Sequence, residues 1–455
     1  VSLDSKVIFF DRKLHPDNSG GINDLDDIWY SVKDKEDIWS TPKQPKNNLN
    51  TKNSDVLFSI TPYGKALIYG TNLGKKDEFS LADLSNETLS NSSKITIKNY
   101  TNNSSNFFGN LSGDGKILIL AIEQEKGFGN LDLYVCYREE SENVFTEPKN
   151  IGQTINTKQA EGSPFLAYDN KTLFFISQGH PGYGGKDIYV SRRLDDSWTN
   201  WSKPINLGKS INTPRDESSI CLTALGDSAV ITSWDNVNSR EGIYWVCLPD
   251  SLQPSPYNVV RGKLVNYIVN QNSKSAETKF IINYDKKPQE VYYFSDKSFA
   301  FVIDSGEFVS VIVSKEGFED FGFSLNTNRL TYSKFVDYNV TLKEQAAKEI
   351  LIGKSYFDYD SYLLSDSSSK SIKNVQNYIM FPKEAKLLLI GYSDKSGTDE
   401  YNLELSRKRA ESVMNELLKM GFLSNNIKII AKGKTELMYD NDAENRRVDI
   451  FLNEH

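Results

Sequence analysis

An aspartate in a tight loop and an arginine on the helix that follows it are the residues of this chain best placed to do chemistry. The loop reads Gly391-Tyr392-Ser393-Asp394-Lys395-Ser396-Gly397, and the helix contains Tyr401-Asn402-Leu403-Glu404-Leu405-Ser406-Arg407-Lys408-Arg409-Ala410. Asn402, Ser406 (or Leu405) and Arg409 recur at i, i+3/4 and i+7, so they share one helix face. Seven residues return to within about 20° of the starting direction, which lines Asn402 up with Arg409 along the axis. A carboxylate can hold an ammonium, and a guanidinium fork can hold a carboxylate through two parallel hydrogen bonds. The pair Asp394 and Arg409 therefore suits a ligand carrying both groups on one carbon. For an arbitrary strand-loop-helix, a turn-capping aspartate and a solvent-facing arginine would be the default. The length of the combined pattern outweighs that default here.

The elements that must position this pair follow from periodicity. Residues 356–361 read as a strand running into a polar turn. A helix over 368–378 sets Ile372, Val375 and Ile379 on one side, and Pro382 ends it. Residues 385–392 form a buried strand, and 400–419 a helix with Leu403, Leu405, Ala410, Val413 and Leu417 as its apolar stripe. Gly421 stops that helix, and strands at 427–431 and 447–452 complete a βαβαβ-type α+β layout on a mixed sheet.

With Asn445-Arg446-Arg447-Val448 added, this segment (348–455) resembles the OmpA-like peptidoglycan-binding domain. The resemblance implies noncovalent recognition of diaminopimelate-type peptidoglycan stem peptides, whose third residue ends in a zwitterion. It assigns Asp394 and Arg409 to the grip on that zwitterion, with Asn402, Ser393 and Leu405 alongside and Arg446 facing the site. Arg447 is the structural member of its pair. Tyr392 stands where the family usually has His and Ser393 where it has Thr, so the hydroxyl survives while the histidine's loop hydrogen bond is put in question.

Upstream, an Asp-Ile/Leu-Tyr/Trp element recurs at Asp27, Asp132 and Asp187, with weaker copies at Asp77 and Gly242, so that the five start 50, 55, 55 and 55 residues apart. Turns such as Asp169-Asn170 and Gly113-Asp114-Gly115 join alternating apolar runs in hairpin fashion. A period of this size with several short strands indicates a β-propeller of about five blades over 1–250. The units resemble WD40-like repeats of the bacterial TolB type. One blade is expected to be closed by strands from both ends or to lack a strand. The repeated aspartates are expected to fix turns, because a ligand site would need the pattern in one blade only. His15 and His180 are expected to be solvated loop residues.

Pro249, Pro254 and Pro256 mark a boundary. Beyond it, short alternating strands over 257–343 suggest a small β-sandwich. This stretch resembles the carboxypeptidase regulatory-like, transthyretin-type domain, although Ser298 replaces the usual glycine before Phe299. Residues 344–349 read as a short, partly helical linker.

The chain of 455 residues is long enough for about three domains. A net charge of −8 argues against a nucleic-acid partner. Cys136, Cys221 and Cys247, each in an apolar run, are expected to be buried thiols rather than a disulfide framework or zinc site. No catalytic constellation, metal site or cofactor motif is legible. The chain opens on Val1 without a leader pattern, so any signal peptide or lipidated cysteine would lie upstream. The expected role is non-enzymatic: a periplasmic, outer-membrane-associated scaffold with the propeller docking envelope proteins. The domain order resembles lipoproteins that accompany the type IX secretion and gliding machinery of Bacteroidota, which implies outer-membrane secretion components as partners. The rivals are a glycan-binding or hydrolytic propeller tethered by the wall domain, and a wall domain that has lost its ligand.

Overall fold

The computed structural model describes residues 1–46, 49–71, 78–85, 88–139, 143–235, 240–265, 277–294, 297–343, 348–379, 381–436 and 438–454. It divides into two compact units, residues 1–315 with 320–342 and residues 316–319 with 343–455.

In the first unit, the recurring apolar runs become five successive antiparallel sheets. The first pairs Val7–Lys13 with Asp26–Val32. The second runs Val56–Ile60, Lys65–Tyr69, Phe79–Ser85, Thr88–Lys94, and the third Phe108–Leu111, Ile117–Ile122, Asp132–Tyr137, Lys149–Asn150. The fourth runs Glu161–Leu166, Thr172–Ser177, Asp187–Arg192, Ile205–Asn206, and the fifth Glu217–Leu222, Ser228–Asp235, Arg240–Cys247. Asn170 and Gly115 take φ of +51° and +70° in the hairpin turns, the region that Asn and Gly tolerate. Neighbouring sheets share apolar cores: Phe174 and Ile188 of the fourth cluster with Ile220 and Ile231 of the fifth. Leu133 and Val135 of the third likewise cluster with Leu173 and Phe175 of the fourth. The fifth sheet also meets the start of the chain, where the Val1 ammonium lies 3.7 Å from Cys221 Sγ and Lys33 Nζ 5.3 Å from the Trp245 ring.

The repeated aspartates organise loops. Phe128 N–H donates to Asp132 at 2.5 Å and Gly129 N–H at 3.2 Å, while Tyr183 and Gly184 N–H donate to Asp187 in the same way. Asp77 lies outside the described residues. An asparagine then clamps each following strand: Asn156 bonds both the N–H (2.8 Å) and C=O (3.0 Å) of Leu133, and Asn212 those of Ile188 (2.8 and 2.9 Å). His180 is not solvated: its ring, half-buried against Phe175 and Tyr189, bonds Ile155 O at 2.9 Å, and burial lowers its pKa. Cys136 is buried as expected, but Cys221 is only partly buried and Cys247 is exposed, because its strand is an edge.

The same unit contains two four-stranded sheets after residue 256. One is built around Tyr257–Val265, flanked by Ser298–Asp304 and Lys334–Asp337; the other orders Glu290–Phe294, Thr278–Tyr284, Phe308–Ser314, Phe321–Asn326. Rings from both meet, with Phe280 4.5 Å from Phe299. The proline segment is held on the fourth sheet by Arg192, which donates to Gln253 O at 2.7 Å.

In the second unit, β1 (Lys348–Tyr356), α1 (Asp366–Lys373), β2 (Leu387–Tyr392), α2 (Asp399–Lys419), β3 (Ile427–Gly433), α3 (Asp442–Asn445) and β4 (Arg447–Glu454) follow one another. The sheet order is β1-β4-β2-β3, with β2 and β3 parallel and the other pairs antiparallel. Three expectations need correction. The strand read over 356–361 is β1, which ends at Tyr356, and 357–361 follow it as a turn because they have no pairing partner in β4. Lys348 and Glu349 belong to β1 rather than to a helical linker, since pairing with β4 overrides their helix propensity; residues 344–347 lie outside the described residues. Leu403 is 43 % exposed, because the buried face of α2 runs through Leu405, Ala410, Val413 and Leu417 instead. Among the described residues, no helix is long and apolar enough to cross a membrane, and no cluster of three His, Cys, Asp or Glu could hold a metal ion.

Candidate ligand-binding site in the C-terminal unit

The loop between β2 and α2 is fixed from both sides. Thr398 caps α2, its Oγ1 accepting from Tyr401 N–H at 3.3 Å, and Asp399 and Glu400 in the first turn suit the helix dipole. Gly391 permits the close approach of β2 and α2: a Cβ there would stand 2.1 Å from Ser406 O. Gly397, at φ +86°, turns the chain into the helix. Asn402 is buried and donates to Ser396 O at 2.6 Å, tying the helix to the loop. Ser406 is also committed internally, donating to Leu403 O (2.8 Å) and accepting from Gly433 N–H (3.0 Å). Leu405 is 9 % exposed.

Asp394 is 5 % exposed. Its Oδ1 accepts from Ser396 N–H at 3.0 Å, and its Oδ2 from Arg446 Nη1 at 3.2 Å. Arg446 also donates through Nε to Phe357 O at 3.1 Å. Arg409, 1 % exposed, donates through Nε to Ser361 O (2.8 Å), through Nη1 to Tyr392 O (3.1 Å) and through Nη2 to Asp358 O (3.1 Å). Burial lowers its pKa to about 10, with nearby Asp394 opposing that fall and Arg446 adding to it. Arg409 therefore stays charged at neutral pH.

The two central residues share one electrostatic neighbourhood without touching: among the described residues, no hydrogen bond or ion pair joins Asp394 to Arg409. Three of the five N–H donors of Arg409 are committed to carbonyls, which leaves one on each Nη. Arg446 is the cation that stands beside Asp394. Ser393 lies beside this group, 1 % exposed, with its Oγ lacking a hydrogen-bond partner.

The residues around the site have structural duties. Arg447 pairs with Asp449 at 3.1 Å and stacks 3.9 Å from the Tyr392 ring. Asn445 accepts from Met438 and Tyr439 N–H and donates to Tyr439 O, fixing the turn before Arg446. Sequence reasoning read a polar turn at the end of 356–361 but did not connect it to Arg409, which it meets through Asp358 O and Ser361 O. Its Asp360 accepts from the Tyr401 hydroxyl, and a polar turn after a strand was the only signal for it.

Residues 356–450 match the OmpA family. Outer membrane protein A of Bordetella avium is 31 % identical over 112 residues, covering 24 % of this chain and 58 % of that protein. The peptidoglycan-associated lipoprotein of Legionella pneumophila is 30 % identical over 100 residues, covering 21 % and 57 % respectively. The solved structure of the peptidoglycan-associated lipoprotein from Burkholderia pseudomallei is 30 % identical and covers 22 % of this chain and 90 % of that chain, with a TM-score of 0.21. The chain thus spans less than two thirds of these two curated relatives' length. The C-terminal segment of this protein is a domain of the OmpA family.

Proposed function

We propose that the C-terminal domain ties this protein to the cell wall by noncovalent binding of diaminopimelate-type peptidoglycan stem peptides. The observation that carries the reading is the gathering of Asp394, Arg409 and Arg446 around one loop inside the segment that matches the OmpA family. Asp394 takes the ligand ammonium, sharing or displacing Arg446, since a carboxylate offers about four acceptor positions and two are in use. The free Nη hydrogens of Arg409 take the ligand carboxylate. Ser393, whose buried hydroxyl has no hydrogen-bond partner among the described residues, lines the floor of the site with Asn402 and Leu405. No bond is made or broken, and the protein acts as a scaffold rather than an enzyme.

The remaining parts are a docking platform and a spacer. We divide the chain into a propeller (1–250), a carboxypeptidase regulatory-like sandwich (257–343) and the wall-binding domain (348–455). Five consecutive sheets with shared cores, and the return of the fifth to Val1 and Lys33, support the propeller. The setting is the periplasmic side of the outer membrane, with type IX secretion or gliding components as the docked proteins.

Co-sedimentation with purified diaminopimelate-type sacculi tests the wall-binding role. Asp394→Ala and Arg409→Ala should each lower affinity roughly ten- to a hundredfold, as expected for losing one charge-assisted partner. Equal retention of both variants and the parent protein would remove the clamp.

A further inference from the structure

The fifth sheet of the first unit ends on an edge that its sister sheets keep covered. Residues Ile243, Tyr244 and Trp245 occupy the positions of Ile188, Tyr189 and Val190, 55 residues earlier, and of Leu133, Tyr134 and Val135 before those. The alignment is fixed by chemistry as well as spacing. Ser233 donates to Glu217 at 2.9 Å as Ser177 donates to Glu161 at 2.7 Å. In the third and fourth sheets these residues are at most 3 % exposed, whereas Ile243, Tyr244 and Trp245 are 40 %, 39 % and 41 % exposed.

A difference in strand pairing accompanies this exposure. In the third and fourth sheets a further short strand pairs antiparallel to this position, Asn150 opposite Tyr134 and Asn206 opposite Tyr189. Among the described residues, Arg240–Cys247 pairs with Ser228–Asp235 alone. The covering segments have a common pattern: Pro148-Lys149-Asn150-Ile151-Gly152-Gln153-Thr154-Ile155-Asn156 and Pro204-Ile205-Asn206-Leu207-Gly208-Lys209-Ser210-Ile211-Asn212. Each part of the pattern has work to do. The first Asn accepts from the glycine N–H two residues on, at 2.9 and 2.8 Å. That glycine takes a φ of +99° or +85°, the left-handed region. The apolar residues between, Ile151, Ile155, Leu207 and Ile211, are buried. The last Asn clamps the strand's outward N–H and C=O, as Asn212 does at Ile188.

We propose that the Arg240–Cys247 edge accepts an extended segment of a partner protein with the pattern Pro-x-Asn-apolar-Gly-x-x-Ile-Asn. The segment adds antiparallel, its first Asn opposite Tyr244 and the preceding residue opposite Trp245. Its last Asn closes on the N–H and C=O of Ile243. An added strand draws affinity from the backbone ladder and specificity from alternate side chains. An uncovered edge with three consecutive half-exposed apolar residues is a pairing site in waiting. This gives the docking role a surface, and its failure leaves wall binding untouched.

The test uses the intact chain and a fluorescent peptide copying residues 203–213. Anisotropy should show saturable binding below about 1 mM, and hydrogen exchange should slow within 240–247. Changing the peptide's last Asn to Ala should weaken binding roughly ten- to a hundredfold through the two lost hydrogen bonds. Trp245→Pro in the protein should abolish binding. Should that variant unfold, the comparison of the two peptides decides alone. The proposal is overturned by no saturable binding, by equal affinity of the Ala peptide, or by binding that leaves exchange at 240–247 unchanged. It is equally overturned if the outward-facing amides of Ile243 and Trp245, which are not bonded to Ser228–Asp235, are already protected before peptide is added, because the protein then covers its own edge.

Discussion

Arg409 is the residue on which the wall-binding reading turns, and its surroundings explain both what sequence can reveal and what it cannot. The seven-residue spacing to Asn402 is written in the helix period, so their shared face could be read directly. The carbonyls of Asp358, Ser361 and Tyr392 could not, because backbone acceptors carry no residue signature and come from a turn and from the end of β2. Arg446 beside Asp394 was legible as a family position, yet its ion pair depends on the distant meeting of the β2–α2 loop with the start of β4. Arg409→Lys is a sharp test of the fork. A lysine keeps the charge but cannot meet three carbonyls and a carboxylate in the same plane. We expect binding to sacculi to fall at least about tenfold with that variant, and chemical denaturation to show a less stable C-terminal unit.

Among the elements, the strength of local signals separates success from failure. The α2 helix was legible from Glu400 to Gly421 because its buried residues repeat at helical spacing, while its cap at Thr398 was not read. β1 was obscured because it opens on the helix-favouring Lys348 and Glu349, and only its pairing with β4 from Tyr356↔Arg447 to Lys348↔Glu454 makes it a strand. The close approach of β2 to α2 is tested at Gly391. Replacement by Ala puts a Cβ 2.1 Å from Ser406 O and should destabilise the C-terminal unit by about 1–3 kcal/mol, measured by urea denaturation. The asparagine clamps of the first unit were missed because a polar residue in a loop gives no sign of its partner. Asn212→Ala removes two buried hydrogen bonds to Ile188 and should cost about 1–3 kcal/mol by the same measurement.

The whole molecule shows a repeat that is regular in sequence and uneven in completeness. The 55-residue period was visible, but the uncovered edge of the fifth sheet was not, since strand number depends on pairing between distant segments. The repeat also sets a pH response. Burial raises Asp55 and Glu161, each to about 7 from ordinary values of 3.8 and 4.5. Between the ordinary and raised values the folded chain binds more protons than the unfolded one, so their contribution is full at low pH and is lost as pH rises toward and through 7. The melting temperature of the first unit should therefore fall from pH 5 to pH 8, and Glu161→Gln should flatten part of that fall. The most direct measurement of the central claim is a calorimetric titration of the protein with two soluble muropeptides, one with diaminopimelate and one with lysine at the third position. Binding to the first at least about tenfold tighter than to the second is the expected result, because lysine lacks the distal carboxylate for Arg409. Equal affinity for both would contradict the account.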